Sequence, residues 1–238
     1  MGRAHLQNVP VQETPAYPGH VTMTAEPQSP VAGAVRSLEV RWIFPGQMEA
    51  AVARWFARFP ATAESRVDAY LVDPQLPGLS VKIRGGRALE IKAYRGSPGI
   101  LEVPGRARGR MEAWHKWSFP VSPLSPGAGG PPGWRPVGKR RRISRLPLAS
   151  GQIAARGAAP GQQPRCEVEL TEIRAGGQDW WTLGFEATGP AGLLRSTLAA
   201  AAALVFAQAL PGGMQPGPDE SRSYAQWLGR PPGAGSGR

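Results

Sequence analysis

Residues 79–94 read LSVKIRGGRALEIKAY, and this stretch predicts the hairpin around which the chain is organised. Apolar and charged side chains alternate on both sides of a glycine pair, the pattern of two antiparallel strands joined by a tight turn. A two-residue turn would pair Lys82 with Leu89 and mix the two faces. A three-residue loop at residues 85–87 pairs Lys82 with Glu90, so we expect that register. The predicted hairpin has one apolar face and one charged face.

The same alternation recurs along the chain and predicts an α+β fold built on an antiparallel β-barrel or tunnel of about eight strands. An apolar stripe at helical spacing, and a later alanine-rich run that is apolar nearly all round, predict two flanking helices that cover the apolar side of the sheet. The further predicted strands are residues 35–44, 65–72, 110–119, 137–146, 165–174 and 180–188, and the predicted helices are residues 48–59 and 193–210.

The chain of 238 residues contains 31 glycines and 26 prolines, which lie mostly in blocks between the predicted elements. Residues 1–34 are rich in Pro, Gln and Thr without periodicity, so we predict a disordered N-terminal tail. Residues 35–210 form the predicted barrel domain. Residues 211–238 are again rich in Pro and Gly, and we predict a flexible C-terminal tail.

The net charge of +11 suits an anionic partner such as phosphates, nucleic acid or an acidic surface, or it serves solubility alone. The single cysteine, Cys166, excludes an internal disulfide and a Cys-rich zinc site. The first residues lack a secretory apolar core, and the longest apolar run is only half a membrane span. We therefore expect a cytoplasmic protein without membrane association, and we expect His115 to be a packed core residue.

Charged side chains of both signs occupy the second face of almost every predicted strand. If the sheet closes with that face inward, these groups line a charged tunnel, where their burial is costly unless they pair with each other or with a charged ligand. Lys and Arg bind phosphate oxygens, and carboxylates hold Mg²⁺ or Mn²⁺ that bridges to phosphate. The alternative is a solvent-facing polar surface with cross-strand ion pairs.

With this strand order and charge placement, residues 35–210 resemble the CYTH superfamily, the triphosphate tunnel enzymes. That family begins with an ExExK strand, and residues 37–41 (SLEVR) are similar to it. Glu39 matches the second glutamate, Arg41 replaces the lysine, and Ser37 stands where the family has its first glutamate.

The resemblance implies a site with separate acidic and basic residues. Glu39, Glu167 and Glu169 would be the catalytic residues and the ligands of a divalent metal, Mg²⁺ or Mn²⁺. The basic residues would bind the triphosphate, with Lys139 and Arg141 as the alternative to the last pair: Arg41, Arg66, Lys82, Arg84, Lys92, Lys116, Arg140 and Arg142.

The leading hypothesis is therefore a protein that binds a triphosphate-containing anion with a divalent metal and hydrolyses it. Because Ser37 replaces a metal ligand, the first alternative is a module that binds phosphorylated ligands without hydrolysis. A basic protein associated with nucleic acid, using residues 139–142 (KRRR) and the arginines of residues 106–110, ranks last.

Overall fold

The computed structural model describes residues 33–122, 133–146 and 163–229. The predicted disorder of the N-terminal tail lies outside the described residues, apart from residues 33 and 34. The last part of the predicted C-terminal tail, residues 230–238, lies outside them as well.

Ten strands are present in the described part of the chain. They are β1 (Val35–Pro45), β2 (Thr62–Leu71), β3 (Leu79–Arg84), β4 (Ala88–Tyr94), β5 (Ile100–Val103), β6 (Ala107–Arg110), β7 (Glu112–Pro120), β8 (Trp134–Leu146), β9 (Arg165–Ala175) and β10 (Gln178–Thr188).

Three α-helices accompany them: α1 (Ala50–Phe56), α2 (Leu194–Phe206) and α3 (Tyr224–Leu228). Short 3₁₀ turns occur at Ala191–Leu193 and Pro211–Gly213. Among the described residues, no helix combines the length and apolar character needed to cross a membrane.

Eight of the strands form a closed antiparallel barrel in the order β1-β10-β9-β8-β2-β3-β4-β7, and β7 pairs back onto β1. The predicted fold class is thereby confirmed. The predicted hairpin register is also found, since Lys82 pairs with Glu90 in the β3–β4 ladder. Gly85 and Gly86 both have positive φ, 53° and 71°, a conformation that glycine adopts without steric cost, and they allow the three-residue loop.

Side-chain alternation gives the barrel an apolar outer face and a charged inner face. On the outer face of β1, β9 and β10, large apolar side chains pack against α1 and α2. This core includes Trp42, Val168, Leu183, Phe185 and Phe206. Cys166 belongs to the same core, and burial raises the pKa of its thiol to about 12, as expected of a structural cysteine.

The helices cover only part of the outer face. On β2, Val67 remains 53% exposed, and Leu79 at the start of β3 is also exposed. His115 lies on the outer face of β7, half-buried, with its ring 6.3 Å from that of Trp117. It is therefore not a core residue as the alternation predicted, because no helix covers this side of β7 within the described residues.

Residues 96–109, which lie between two of the predicted strands, contain a small hairpin formed by β5 and β6. Gly109 brings this hairpin close to β1, since a Cβ at that position would lie 2.6 Å from Val40 Cγ2 and from Trp42 Cζ2. The sequence did not predict these two strands because they have four residues each, too few for a clear alternation.

Residues 211–229 are folded against the barrel, so the predicted flexible tail is wrong for this segment. Ser221 bridges to Trp42 of β1, and the backbone N–H of Arg222 donates to the carbonyl of Arg41 at 3.0 Å. Trp227 and Leu228 are buried against inward-facing side chains at one end of the barrel: Ile43, Tyr70, Val137 and Ile173. The C-terminal segment therefore covers that end, which the Pro/Gly-rich composition did not reveal.

Candidate anion-binding interior

The charged inner face encloses a cavity of about 80 Å³. A space of this size holds several water molecules. All eight barrel strands contribute to its lining, and the remainder comes from the end of β6 and from the C-terminal segment. The lining residues are Glu39, Arg41, Arg66, Tyr70, Ser80, Lys82, Glu90, Lys92, Arg110, Glu112, Trp114, Lys139, Arg141, Glu169, Glu186, Arg222, Ser223 and Tyr224.

A fully buried carboxylate, Asp68 of β2, lies among three cations at one side of this interior. It is 2.8 Å from Arg66 Nε, 3.1 Å from Lys139 Nζ and 3.8 Å from Lys82 Nζ. Burial alone would raise the pKa of Asp68, but the positive charges outweigh burial and hold the pKa well below its ordinary value. Asp68 is therefore ionised and stabilises a cluster of positive charges on three adjacent strands.

Glu169 of β9 joins two arginines across the barrel. One oxygen is 3.3 Å from Arg41 Nη1, and the other accepts a short hydrogen bond from Arg141 Nη2. These arginines overcome the effect of burial and keep the pKa of Glu169 well below its ordinary value. Arg41 can reach this position because residue 184 on the neighbouring strand is glycine, where a Cβ would lie 2.8 Å from Arg41 Cζ.

On the opposite wall, two lysines neutralise two glutamates. Lys92 Nζ lies 2.6 Å from Glu39 and 3.6 Å from Glu186, and Lys116 Nζ lies 3.2 Å from Glu186. Although burial opposes ionisation, Lys92 and Lys116 lower the pKa of Glu186 to about 2. Burial likewise opposes the charge of Lys92, but Glu186 and Glu39 raise its pKa above the ordinary value.

Glu112 of β7 differs from every other carboxylate that lines the cavity. No Lys or Arg nitrogen of the described residues lies within 4 Å of it, and its Oε1 has no hydrogen-bond partner there. Its Oε2 accepts a hydrogen bond from Trp114 Nε1 at 3.2 Å. Burial, with a smaller contribution from the nearby charge of Glu39, raises the pKa of Glu112 to about 7.

Aromatic rings close the cavity at the covered end of the barrel. Lys139 Nζ lies 3.8 Å from the ring centroid of Tyr224 and 2.6 Å from the hydroxyl of Tyr70, and Arg41 stacks over Tyr224 at 4.7 Å. Burial lowers the pKa of Lys139, although Tyr70 and Asp68 oppose that change. The rings hold the cations of this end through cation–π contacts.

The basic strand β8 resolves an alternative that the sequence left open. Lys139 and Arg141 point into the cavity, whereas Arg140 and Arg142 lie on the outer face. Both outer arginines form ion pairs with Glu172 of β9, and the side chain of Arg140 is 73% exposed. The prediction that Arg140 and Arg142 face the phosphate site is therefore wrong, because the strand register turns the odd-numbered residues inward.

The other predicted site residues are distributed over the inner face. Arg41, Arg66, Lys82 and Lys92 line the cavity together with Glu39 and Glu169. Two further cations contact glutamates of the lining without lining it themselves, namely Arg84 at 3.2 Å from Glu90 and Lys116 beside Glu186. Glu167 does not reach the cavity; it lies near one mouth of the barrel, 2.9 Å from the exposed Arg145.

The three glutamates predicted as metal ligands do not meet at one point. Glu39 pairs with Lys92, Glu169 pairs with Arg41 and Arg141, and Glu167 pairs with Arg145. Within residues 33–122, 133–146 and 163–229, no three His, Cys, Asp or Glu side chains are grouped as a metal site. The metal role of these glutamates stays a prediction.

Sequence reasoning gave no role to several residues that shape the interior. Asp68 and Glu112 were recognisable as members of the charged face, but alternation does not reveal which carboxylate finds a partner. Glu186 has the inward parity of β10 and could have been found from it. Tyr224 carries no such signal, since its place depends on the packing of the C-terminal segment.

No family model matches the chain, and no curated protein matches its sequence. Among solved structures, the fold is similar to that of the RNA triphosphatase Pct1 from S. pombe, with a TM-score of 0.37 and 10% sequence identity. The similarity covers 75% of this chain and 83% of that chain. A TM-score this low does not establish a shared family, so we infer function from the side chains of the interior.

Proposed function

We propose that the barrel interior binds the phosphates of a triphosphate-containing anion. The observation that carries the proposal is the convergence of cationic side chains from five barrel strands on one enclosed space. Eight cationic and five carboxylate side chains line the cavity. Asp68 and Glu64 pair with cations of this lining from beside it. Cations held this close together repel one another, and a phosphate chain offers oxygens to several of them at once.

The identity of the cations supports phosphate as the ligand. Arg41 and Arg141 present guanidinium groups, which can donate two parallel hydrogen bonds to a phosphate. Lys82, Lys92 and Lys139 add compact charges from three strands. Since the C-terminal segment covers one end of the barrel, an elongated anion would enter from the other end.

The existing ion pairs define what binding requires. Glu169 and Asp68 now occupy the donors of Arg41, Arg141 and Lys139. A phosphate chain would share these donors or displace the carboxylates, so affinity reflects the difference between two sets of charge-assisted hydrogen bonds. We expect binding to weaken with salt, because the incoming ligand is a polyanion.

The finer proposal is that the bound triphosphate is hydrolysed with a divalent metal. Glu39 and Glu169 are the predicted metal ligands that face the cavity, and a metal bound there would neutralise phosphate charge and orient a water molecule. The cations of the lining would stabilise the charge that develops on the phosphate oxygens. Binding without hydrolysis is the alternative, supported by the absence of the first family glutamate at Ser37.

Two adjacent arginines of β8 offer a matched test of binding. Titration calorimetry with tripolyphosphate should show that Arg141→Gln lowers affinity by about tenfold or more, the effect of losing roughly one charge-assisted hydrogen bond. Arg140→Gln removes the same charge from the outer face and should bind like wild type. Equal affinities of the two variants, or no binding by the wild-type protein, would contradict the proposal.

Hydrolysis is tested separately by incubating the protein with tripolyphosphate, ATP and thiamine triphosphate in Mg²⁺ or Mn²⁺. Phosphate release that is lost in Glu169→Gln would support the enzyme. Binding without release would favour the non-catalytic module. The nucleic-acid hypothesis has less support, because the KRRR segment is divided between the cavity and ion pairs with Glu172.

A further inference from the structure

We propose that Glu112 and Glu39 together hold the divalent cation that bridges to a bound phosphate chain. The inference rests on the proposed function, and it assigns to Glu112 a role that the sequence resemblance did not supply. It starts from the one carboxyl group of the cavity whose surroundings leave it without a counterion among the described residues.

Glu112 is 5% exposed, and its Oε1 is buried without a hydrogen-bond donor in the described part of the chain. Leaving a buried carboxyl oxygen unpartnered is costly, so such atoms indicate a missing partner. The neighbouring groups do not provide one, since Trp114 occupies only Oε2. A cation placed in the cavity would satisfy Oε1.

Glu39 is the direct cross-strand neighbour of Glu112 in the β1–β7 ladder, and both residues line the cavity. Side chains opposite each other in such a ladder have Cβ atoms about 5 Å apart, close enough for two carboxylates to share one ion. Both hydrogen bonds that described side chains donate to Glu39, from Ser37 and Lys92, go to Oε1. Each glutamate therefore keeps one oxygen uncommitted by these contacts.

Two carboxylates are a sufficient protein contribution for Mg²⁺ or Mn²⁺ when the substrate supplies further ligands. Mg²⁺ in phosphate-handling sites is commonly held by one or two carboxylates, with phosphate oxygens and water completing the shell. The lack of a three-residue metal cluster in the described residues is compatible with such a site. Metal binding should accordingly depend on the phosphate ligand.

This arrangement also gives Ser37 a consistent place. Ser37 Oγ donates a hydrogen bond to Glu39 at 2.7 Å and so holds that carboxylate in place. A glutamate at residue 37 would instead add a second carboxylate beside it. The second metal-facing carboxylate then comes from β7, the strand that pairs with this part of β1. The lost ligand is replaced from the neighbouring strand instead of from the same one.

The test measures tripolyphosphate affinity of the full chain by calorimetry, with excess Mn²⁺ and with EDTA, in wild type, Glu112→Gln and Glu172→Gln. The last variant is the matched control, since Glu172 lies on the outer face with Arg140 and Arg142. Electron paramagnetic resonance of Mn²⁺ in the same mixtures reports the bound ion directly. Thermal unfolding verifies that each variant is folded.

We expect Mn²⁺ to strengthen wild-type binding beyond its effect in Glu112→Gln. Removing even an outer partner of a metal ligand weakens metal binding by about 10–100-fold, so loss of a ligand should reduce the Mn²⁺-dependent gain by about tenfold or more. Glu172→Gln should retain the gain. The Mn²⁺ spectrum should show a protein-bound ion in wild type with tripolyphosphate but not in Glu112→Gln.

The outcomes separate the inference from the proposed function. If wild type binds tripolyphosphate equally with Mn²⁺ and with EDTA, or if Glu112→Gln keeps the full Mn²⁺ gain, the Glu112–Glu39 site is wrong and the anion-binding interior stands. If wild type binds no tripolyphosphate in either condition, both the proposed function and the inference are wrong.

Discussion

Asp68 and Glu112 are both buried carboxyl residues on the inner face of one barrel, yet burial has opposite consequences for them. Asp68 is fully buried and its pKa lies well below the ordinary value, whereas Glu112 is 5% exposed and its pKa is raised to about 7. Burial opposes ionisation of both groups. The difference arises from the neighbours, so pairing and not depth decides the charge state of a carboxyl in this interior.

The neighbours differ because of strand order. Asp68 lies between β3 and β8, which place Lys82 and Lys139 beside it, and Arg66 lies two residues earlier on its own strand. Glu112 lies beside β1, where the facing residue is another carboxylate, Glu39. The charge of Asp68 is therefore neutralised by neighbouring cations, whereas Glu112 has no such cation within 4 Å among the described residues.

The largest expected effect comes from breaking the Asp68 cluster. Asp68→Asn leaves Arg66, Lys82 and Lys139 without their shared carboxylate, so we expect the free energy of unfolding at pH 7 to fall by about 3–5 kcal/mol. Urea denaturation followed by tryptophan fluorescence measures this change, since the chain has eight tryptophans.

The pH dependence of this effect has a defined sign. Because the folded-state pKa of Asp68 is lowered from 3.8, its stabilisation is present above that value and is lost as pH falls towards the folded-state pKa. The difference between wild type and Asp68→Asn should therefore shrink below pH 4. A difference that grows in acid would contradict the assignment of Asp68 as a paired carboxylate.

Glu112→Gln should raise the free energy of unfolding at pH 8, the opposite of Asp68→Asn, and by a smaller amount. Between the ordinary value of 4.5 and about 7, the folded protein holds a proton that the unfolded chain has released, so wild-type stability falls as pH rises through this range. The shift corresponds to on the order of 3 kcal/mol. We expect Glu112→Gln, measured by urea denaturation in EDTA, to remove this decline and to be more stable than wild type at pH 8.

Two features make this prediction sharp. The glutamine side chain can still accept the hydrogen bond from Trp114, so the substitution mainly removes the ionisable group. At pH 4 the two proteins should have the same stability, because Glu112 is then protonated in both the folded and unfolded wild type. A variant that is less stable than wild type at pH 8 would show that Glu112 has a counterion.

Glu167→Gln should change the free energy of unfolding least of the three substitutions. Glu167 faces the same side of the sheet as Glu169, but its side chain is 36% exposed and its partner Arg145 is 68% exposed. Exposed ion pairs contribute about 0–1 kcal/mol. We expect a change within about 1 kcal/mol at pH 7 by urea denaturation. A loss comparable to that of Asp68→Asn would mean that Glu167 lies in a closed interior.

Alternation predicts which side chains face the interior wherever the two faces of a strand differ in character. The register of β3 and β4 follows from their charged and apolar faces, and it places Lys82 opposite Glu90 as expected. In β8, four consecutive residues are basic, so alternation does not tell which of them point into the interior. Only the pairing of β8 with β2 and β9 turns Lys139 and Arg141 inward.

The sequence by itself determined that strands with one charged face exist, because a period of two residues assigns every side chain to one of two faces. The tertiary structure alone decided which carboxylate meets a cation and that Tyr224 lies beside Lys139 and Arg41. Those contacts join residues far apart in the chain, and local periodicity contains no information on which strand or segment becomes the neighbour.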